Sequence, residues 1–142
     1  MKNINKILLT TLLAGSTIVY ADLLGEAAKL DVKKVCDVKA NGLDKVIAIA
    51  AKYNPEAVKL GIEFKRLGVT NSNYIKTTAA AIKDKKKEVV LQYKKKGKVK
   101  SQKMATDYAA SRACHFAIRA LQQKIEAEKT WRMSVPGDGF KY

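Results

Sequence analysis

Residues 88–100 read EVVLQYKKKGKVK, and the fold class turns on them. Val89, Val90 and Tyr93 favour strand geometry, because branched and aromatic side chains suit a pleated surface. On that reading the chain doubles back as a β-hairpin near Lys95 to Gly97. The competing reading is helical. Ile75, Thr78, Ala79 and Ile82 form a stripe at helical steps, and Val89 and Tyr93 can extend it. Lys86 interrupts the stripe, but a lysine stem can lie along apolar surface with its charge in water. No glycine or proline stands between Ile82 and Glu88. The sequence therefore predicts one helix running through this stretch, with the hairpin as the alternative.

The flanking segments also carry helical periods. Toward the N-terminus, Asp22 to about Lys39 spaces Leu23, Leu24, Ala27, Ala28, Leu30, Val32, Val35 and Cys36 as one helix, and Asn41-Gly42 ends it. A second helix is predicted over Leu43–Tyr53. A third is predicted from Pro55 to about Leu67, with Asn54 as its cap and Gly68 as its stop. Val69–Ser72 reads as a loop before a helix starting near Asn71, Ser72 or Asn73. Toward the C-terminus, roughly Ser101 to Trp131 is the clearest helix, rich in alanine. Residues 134–142 (SVPGDGFKY) read as an irregular tail. The expected architecture is all-α, a small helical bundle of four or five helices over residues 22–133.

The first 21 residues read as a secretory signal peptide. Lys2 and Lys6 precede an apolar run from Ile7 to Val19, and Val19-Tyr20-Ala21 suits cleavage after Ala21. That run is shorter than the roughly 20 residues of a spanning helix. The expectation is a periplasmic or secreted protein with no transmembrane span in its mature chain. Such a compartment permits disulfides, and the chain has two cysteines, Cys36 and Cys114.

Cys114 stands next to the only histidine, in the stretch SRACHFAIR over residues 111–119. At 100° per residue, Cys114 falls among Ala110, Ala113, Ala117 and Leu121, on the apolar face. His115 falls with Ser111, Gln122, Arg112 and Arg119, on the wet face. Cys36 lies on the apolar stripe of its own helix. Two inward-facing cysteines on the first and last helices predict a Cys36–Cys114 disulfide, which the chain-entropy account values at roughly 4–5 kcal/mol.

The same stretch resembles the haem-attachment segment of cytochrome c-prime proteins and their non-covalent relatives. Cys114, His115 and Arg119 match its second cysteine, axial histidine and arginine. That resemblance implies a haem-binding four-helix bundle, and haem as the alternative to a chain without cofactor. Ser111 stands where the first cysteine belongs, and the first helix offers no second ligand. Beyond this segment no HExxH, paired Cys-x-x-Cys, Walker or GxSxG pattern occurs, and no carboxylate pair sits in an apolar setting. The reading is accordingly non-enzymatic, with no catalytic residues and no metal ligands.

Charge is the strongest remaining signal. The formal net charge is +15, and residues 69–104 hold eleven bases against two acids. Ten lysines fall between residues 83 and 103: Lys83, Lys85, Lys86, Lys87, Lys94, Lys95, Lys96, Lys98, Lys100 and Lys103. These are the candidate anion- or partner-binding residues. A lysine near an anionic bilayer can contribute on the order of 1 kcal/mol. The expected partners are an acidic protein, anionic lipid or acidic polysaccharide of the envelope. Nucleic acid is disfavoured by the export signal, by a patch of lysine without arginine, and by few aromatics for stacking. The leading expectation is an exported helical protein binding such a partner through its lysine-rich segment. The alternatives are the haem protein and a structural subunit of an envelope complex.

Overall fold

The computed structural model describes residues 16–66 and 68–130, with residues 16–22 described by backbone alone. The expected leader falls mostly outside the described residues, and the expected 134–142 tail falls wholly outside them. The elements are α1 (Ser16–Lys29), α2 (Val32–Val35), α3 (Val38–Asn41), α4 (Leu43–Lys59), β1 (Lys65–Arg66), β2 (Val69–Thr70), α5 (Asn71–Lys83), β3 (Glu88–Lys95), β4 (Lys98–Ala105) and α6 (Thr106–Thr130). Among the described residues no helix is long and apolar enough to cross a membrane.

The fold is mixed, and the all-α expectation is corrected. Two antiparallel hairpins, β1–β2 and β3–β4, accompany the helices. The helix expected through residues 88–100 stops at Lys83. Lys85 adopts φ +53°, its N–H donates to Ile82 O at 3.0 Å, and the Lys86 N–H donates to Ala81 O at 2.8 Å. This is a Schellman stop, which ordinarily uses glycine at the left-handed position. Beyond it the strand reading holds. Val89 and Leu91 are buried and Tyr93 is half-buried, while Val90 and Gln92 are exposed, a period of two. Lys96 and Gly97 turn the hairpin with φ +49° and +74°, the two positive values a type I′ turn requires. The register runs from Lys95↔Lys98 to Glu88↔Ala105. At its base the Thr106 N–H donates to Lys87 O at 2.9 Å, and Thr106 Oγ1 donates to Lys86 O at 2.6 Å. The last helix therefore starts at Thr106, since residues 101–105 belong to β4.

Other boundaries move for local reasons. The expected Asp22–Lys39 helix is broken twice by aspartate caps. Asp31 Oδ1 accepts from the Lys33 and Lys34 N–H groups, and Asp37 Oδ1 accepts from Lys39. Asn54-Pro55 does not restart a helix; Pro55 sits inside α4, which is continuous. Asn54 is held instead by tertiary bonds. Its Nδ2 donates to Glu63 Oε1 at 3.1 Å and Ser72 Oγ at 3.0 Å, and its Oδ1 accepts from Asn71 Nδ2 at 2.8 Å. A stop at Gly61 (φ +70°) ends α4, with the Ile62 N–H donating to Ala57 O at 2.9 Å. Val69–Thr70 is a short strand rather than a loop, and Thr70 caps α5.

The core is organised around α6. That helix packs most extensively on α4, and also on α5, α1 and α2. Ala109, Ala110, Ala113 and Ala117 let its neighbours come close, and Ile118 and Leu121 fill the space between them, both fully buried. Each of those two side chains contributes roughly 1.5–3 kcal/mol by burial. Cys36 and Cys114 are completely buried and form a disulfide, with Cα atoms 5.6 Å apart. Gln122 Nε2 donates to Ala27 O and Leu30 O, both at 2.9 Å, so α6 also satisfies the C-terminal end of α1. Asn71, fully buried, donates through Nδ2 to Ala113 O at 3.0 Å, joining α5 to α6.

Candidate functional site

The structure divides the ten candidate lysines into two groups. Lys83, Lys85, Lys86 and Lys87 belong to the end of α5 and the linker into β3. Lys94, Lys95, Lys96, Lys98, Lys100 and Lys103 belong to the β3–β4 hairpin, hereafter the arm.

In the linker group one lysine is ion-paired and three share a cleft with carboxylates. Lys86 Nζ pairs with Asp84 at 2.9 Å. Lys85, Lys86 and Lys87 line a cleft of about 580 Å³ together with Leu43, Asp44, Ile82, Thr106 and Asp107. Asp44 and Asp107 stand in the first turns of α4 and α6, where helix dipoles favour negative charge. Acid and base thus meet in one place, and the local field is mixed. Sequence reasoning missed Asp44, Asp107 and Thr106 here. They are distant in the chain, and only the meeting of three helix ends brings them together.

The arm group is different. From Glu88 to Ala105 it carries six lysines and one acid, Glu88, which lies at the base. Among the described residues, no arm lysine takes part in an ion pair. Every arm lysine is exposed, and no β4 residue is buried. The ladder distributes the charge over both faces of the ribbon. Lys95, Lys98 and Lys100 share the face of Val89, Leu91 and Tyr93, while Lys94 and Lys103 take the other. Val99, on that second face, is 65% exposed. The base of the arm is anchored by Val89 and Leu91, and its outer half carries charge on both sides. Chemically it is a cationic ribbon that can take anionic groups from either side.

The cysteine–histidine pair separates as the wheel predicts for Cys114 and less simply for His115. Cys114 Sγ is bonded to Cys36, so attaching a thioether there would require that bond to open. His115 is half-buried rather than on a wet face. Burial holds its pKa below the usual imidazole value, and Arg119 adds to the effect. Arg112, expected beside it, lies instead over the rings of Phe116 at 5.1 Å and Tyr108 at 5.6 Å, and donates to Tyr108 Oη at 2.7 Å. Arg119 bonds Gln122 Oε1 at 3.2 Å. Among the described residues, no three His, Cys, Asp or Glu side chains converge as a metal site requires.

A polar cluster of Asn54, Glu63, Asn71 and Ser72 is the other feature sequence reasoning did not find. Burial alone would raise the Glu63 pKa, but the Ser72 hydroxyl, the Asn54 amide and the Ser72 N–H, helped by Lys65, hold it below the usual carboxylate value. Its geometry is that of a structural tie between the segment before β1, α4 and α5. No protein-family model, no curated protein and no solved structure matches this chain.

Proposed function

We propose that this is an exported, non-enzymatic protein that binds an anionic or acidic component of the cell envelope through its lysine arm. The disulfide-braced helical body serves as the mount. Lys2, Lys6 and the apolar run to Val19 support export, and a buried disulfide suits an oxidising compartment. Cleavage after Ala21 would leave α1 starting at Asp22. The observation that carries the reading is the concentration of charge on the arm: six projecting lysines against one acid at the base, none ion-paired among the described residues, beside a linker where Lys86 pairs with Asp84 and shares a cleft with Asp44 and Asp107.

The test is binding as a function of salt. The protein is titrated with anionic vesicles, an acidic polysaccharide and an acidic polypeptide, each beside a neutral control. Affinity for at least one anionic target should fall steeply as ionic strength rises. It should also be lost when Lys94, Lys95, Lys98 and Lys100 are changed together to Gln. Changing Lys85, Lys86 and Lys87 to Gln should do much less. Binding insensitive to salt, or to the arm substitutions, would refute the reading. A structural role in an envelope complex is the second reading. It is favoured by exposed Val99 on the arm and by Tyr108, 53% exposed, at the start of α6.

A further inference from the structure

The arm is a two-stranded sheet, so each strand has one edge that its partner does not use. β3 lies against α5 and comes close to β2, whereas β4 contacts little beyond β3 and the start of α6. The outer edge of β4 is therefore the open one. The turn determines which backbone groups face it. Across a two-residue turn the closing pair, Lys95↔Lys98, exchanges hydrogen bonds, and bonded and non-bonded pairs then alternate along the ladder. The Thr106 N–H to Lys87 O bond falls in the same phase and fixes it independently. Val99, Ser101 and Lys103 are in the non-bonded phase and turn their N–H and C=O groups outward. No hydrogen bond takes up those groups among the described residues.

An open edge of eight residues is a template for another strand. β4 carries Lys98, Lys100 and Lys103 and no acid. A second copy of the same edge would bring lysines against lysines, and like charges across a strand pair are destabilising. The same charges favour an acidic strand. We infer that the outer edge of β4 receives an extended acidic segment of a partner protein as a third strand of the arm. This rests on the proposed function and narrows it to one partner chemistry. Backbone hydrogen bonds to Val99, Ser101 and Lys103 supply the pairing. Carboxylates opposite Lys98, Lys100 and Lys103 supply the selection, and strand alternation places the first two on one face and the third on the other. In an antiparallel partner the acids stand in the order acid-x-x-acid-x-acid.

The experiment uses the full chain and a labelled, end-blocked peptide, Glu-Thr-Val-Glu-Thr-Glu. Two further versions carry N-methyl groups on alternate backbone nitrogens, in opposite phases. Only one phase faces β4, so one methylated peptide should bind about tenfold more weakly and the other nearly as the parent does. Ser101→Pro removes an outward N–H that the β3–β4 ladder does not use, a place where an edge strand tolerates proline. It should weaken the parent peptide by about tenfold, with no change in thermal midpoint. Equal binding of both methylated peptides overturns the inference, and it does so without relying on the fold of any variant. Ser101→Pro binding as wild type does so too. Vesicles or polysaccharide bound in preference to the peptide would overturn this inference alone. No salt-sensitive binding to any of them would also overturn the function it rests on.

Discussion

α6 and the arm meet at Thr106 and are specified in opposite ways. α6 buries nine residues, among them Ile118, Leu121 and one half of the disulfide. β4, immediately before it, buries none. A side chain of α6 is answered by α1, α2, α4 or α5, whereas a side chain of β4 is answered mainly by β3 and water. Local turn chemistry and cross-strand pairs shape the arm, and tertiary packing shapes the body. Substitutions should therefore divide. In the body they cost stability, and in the outer arm they change binding at little cost to the fold.

The largest break in that contrast should come from the disulfide. Cys36→Ser with Cys114→Ser, or reduction in denaturant, should lower stability by about 2–5 kcal/mol, read from urea midpoints with and without reductant. An intact body that loses less than about 1 kcal/mol would show that the bond braces little. Next comes Asn71→Ala. It strips the donor shared by Asn54 Oδ1 and Ala113 O inside the core, and should cost about 2 kcal/mol in the same assay. Smaller and opposite in sign is Lys85→Gly at the α5 stop. It relieves a left-handed lysine and should raise stability by roughly 0.5–1 kcal/mol. Lys96→Asn should do the same for the arm turn, by no more than that.

The smallest effect is on pH dependence. The folded pKa of His115 lies below its ordinary 6.5, so the folded state favours neutral imidazole. Its contribution is complete above about pH 6.5 and is lost as pH falls through the folded value. His115→Gln should therefore narrow the stability difference between about pH 7.5 and about pH 5.5. A variant whose decline matches wild type would show that other groups carry it.

The contrast between body and arm also explains how much the sequence discloses. The face of α6 and the pairing of its cysteine were legible, because a long alanine-rich helix keeps its phase and its apolar stripe points one way. The arm was not, for a reason visible at two helix ends. α4 and α5 close with the same pair of hydrogen bonds, one on Gly61 and the other on Lys85. Only the first carries a residue that announces the left-handed turn, and an expected helix to Leu67 passed over even that one. At Lys85 a lysine does glycine's work, and no local signal marks the stop. The two aspartate caps at Asp31 and Asp37 were legible in principle, since each precedes a short run, but the helical stripe across them is unbroken. Pro55 misled in the other direction. Asn54 in front of it is committed to a buried network that only the folded chain creates. Of the candidate site, the lysines were all visible. That three of them share a cleft with Asp44 and Asp107 while the arm group does not required the fold, because no linear spacing gives those positions.

The clasp at Thr106 has a consequence for how the molecule could change over time. Because its N–H reaches Lys87 O, the chain leaves the body and re-enters it at one point, with 18 residues of β3, turn and β4 between. A segment whose two ends already touch can be lengthened, shortened or exchanged without rerouting the helices on either side, provided Val89 and Leu91 keep their places. The arm is thus an interchangeable head on a fixed handle. Its charge pattern could be rewritten for a different target while the helices beneath it stay the same.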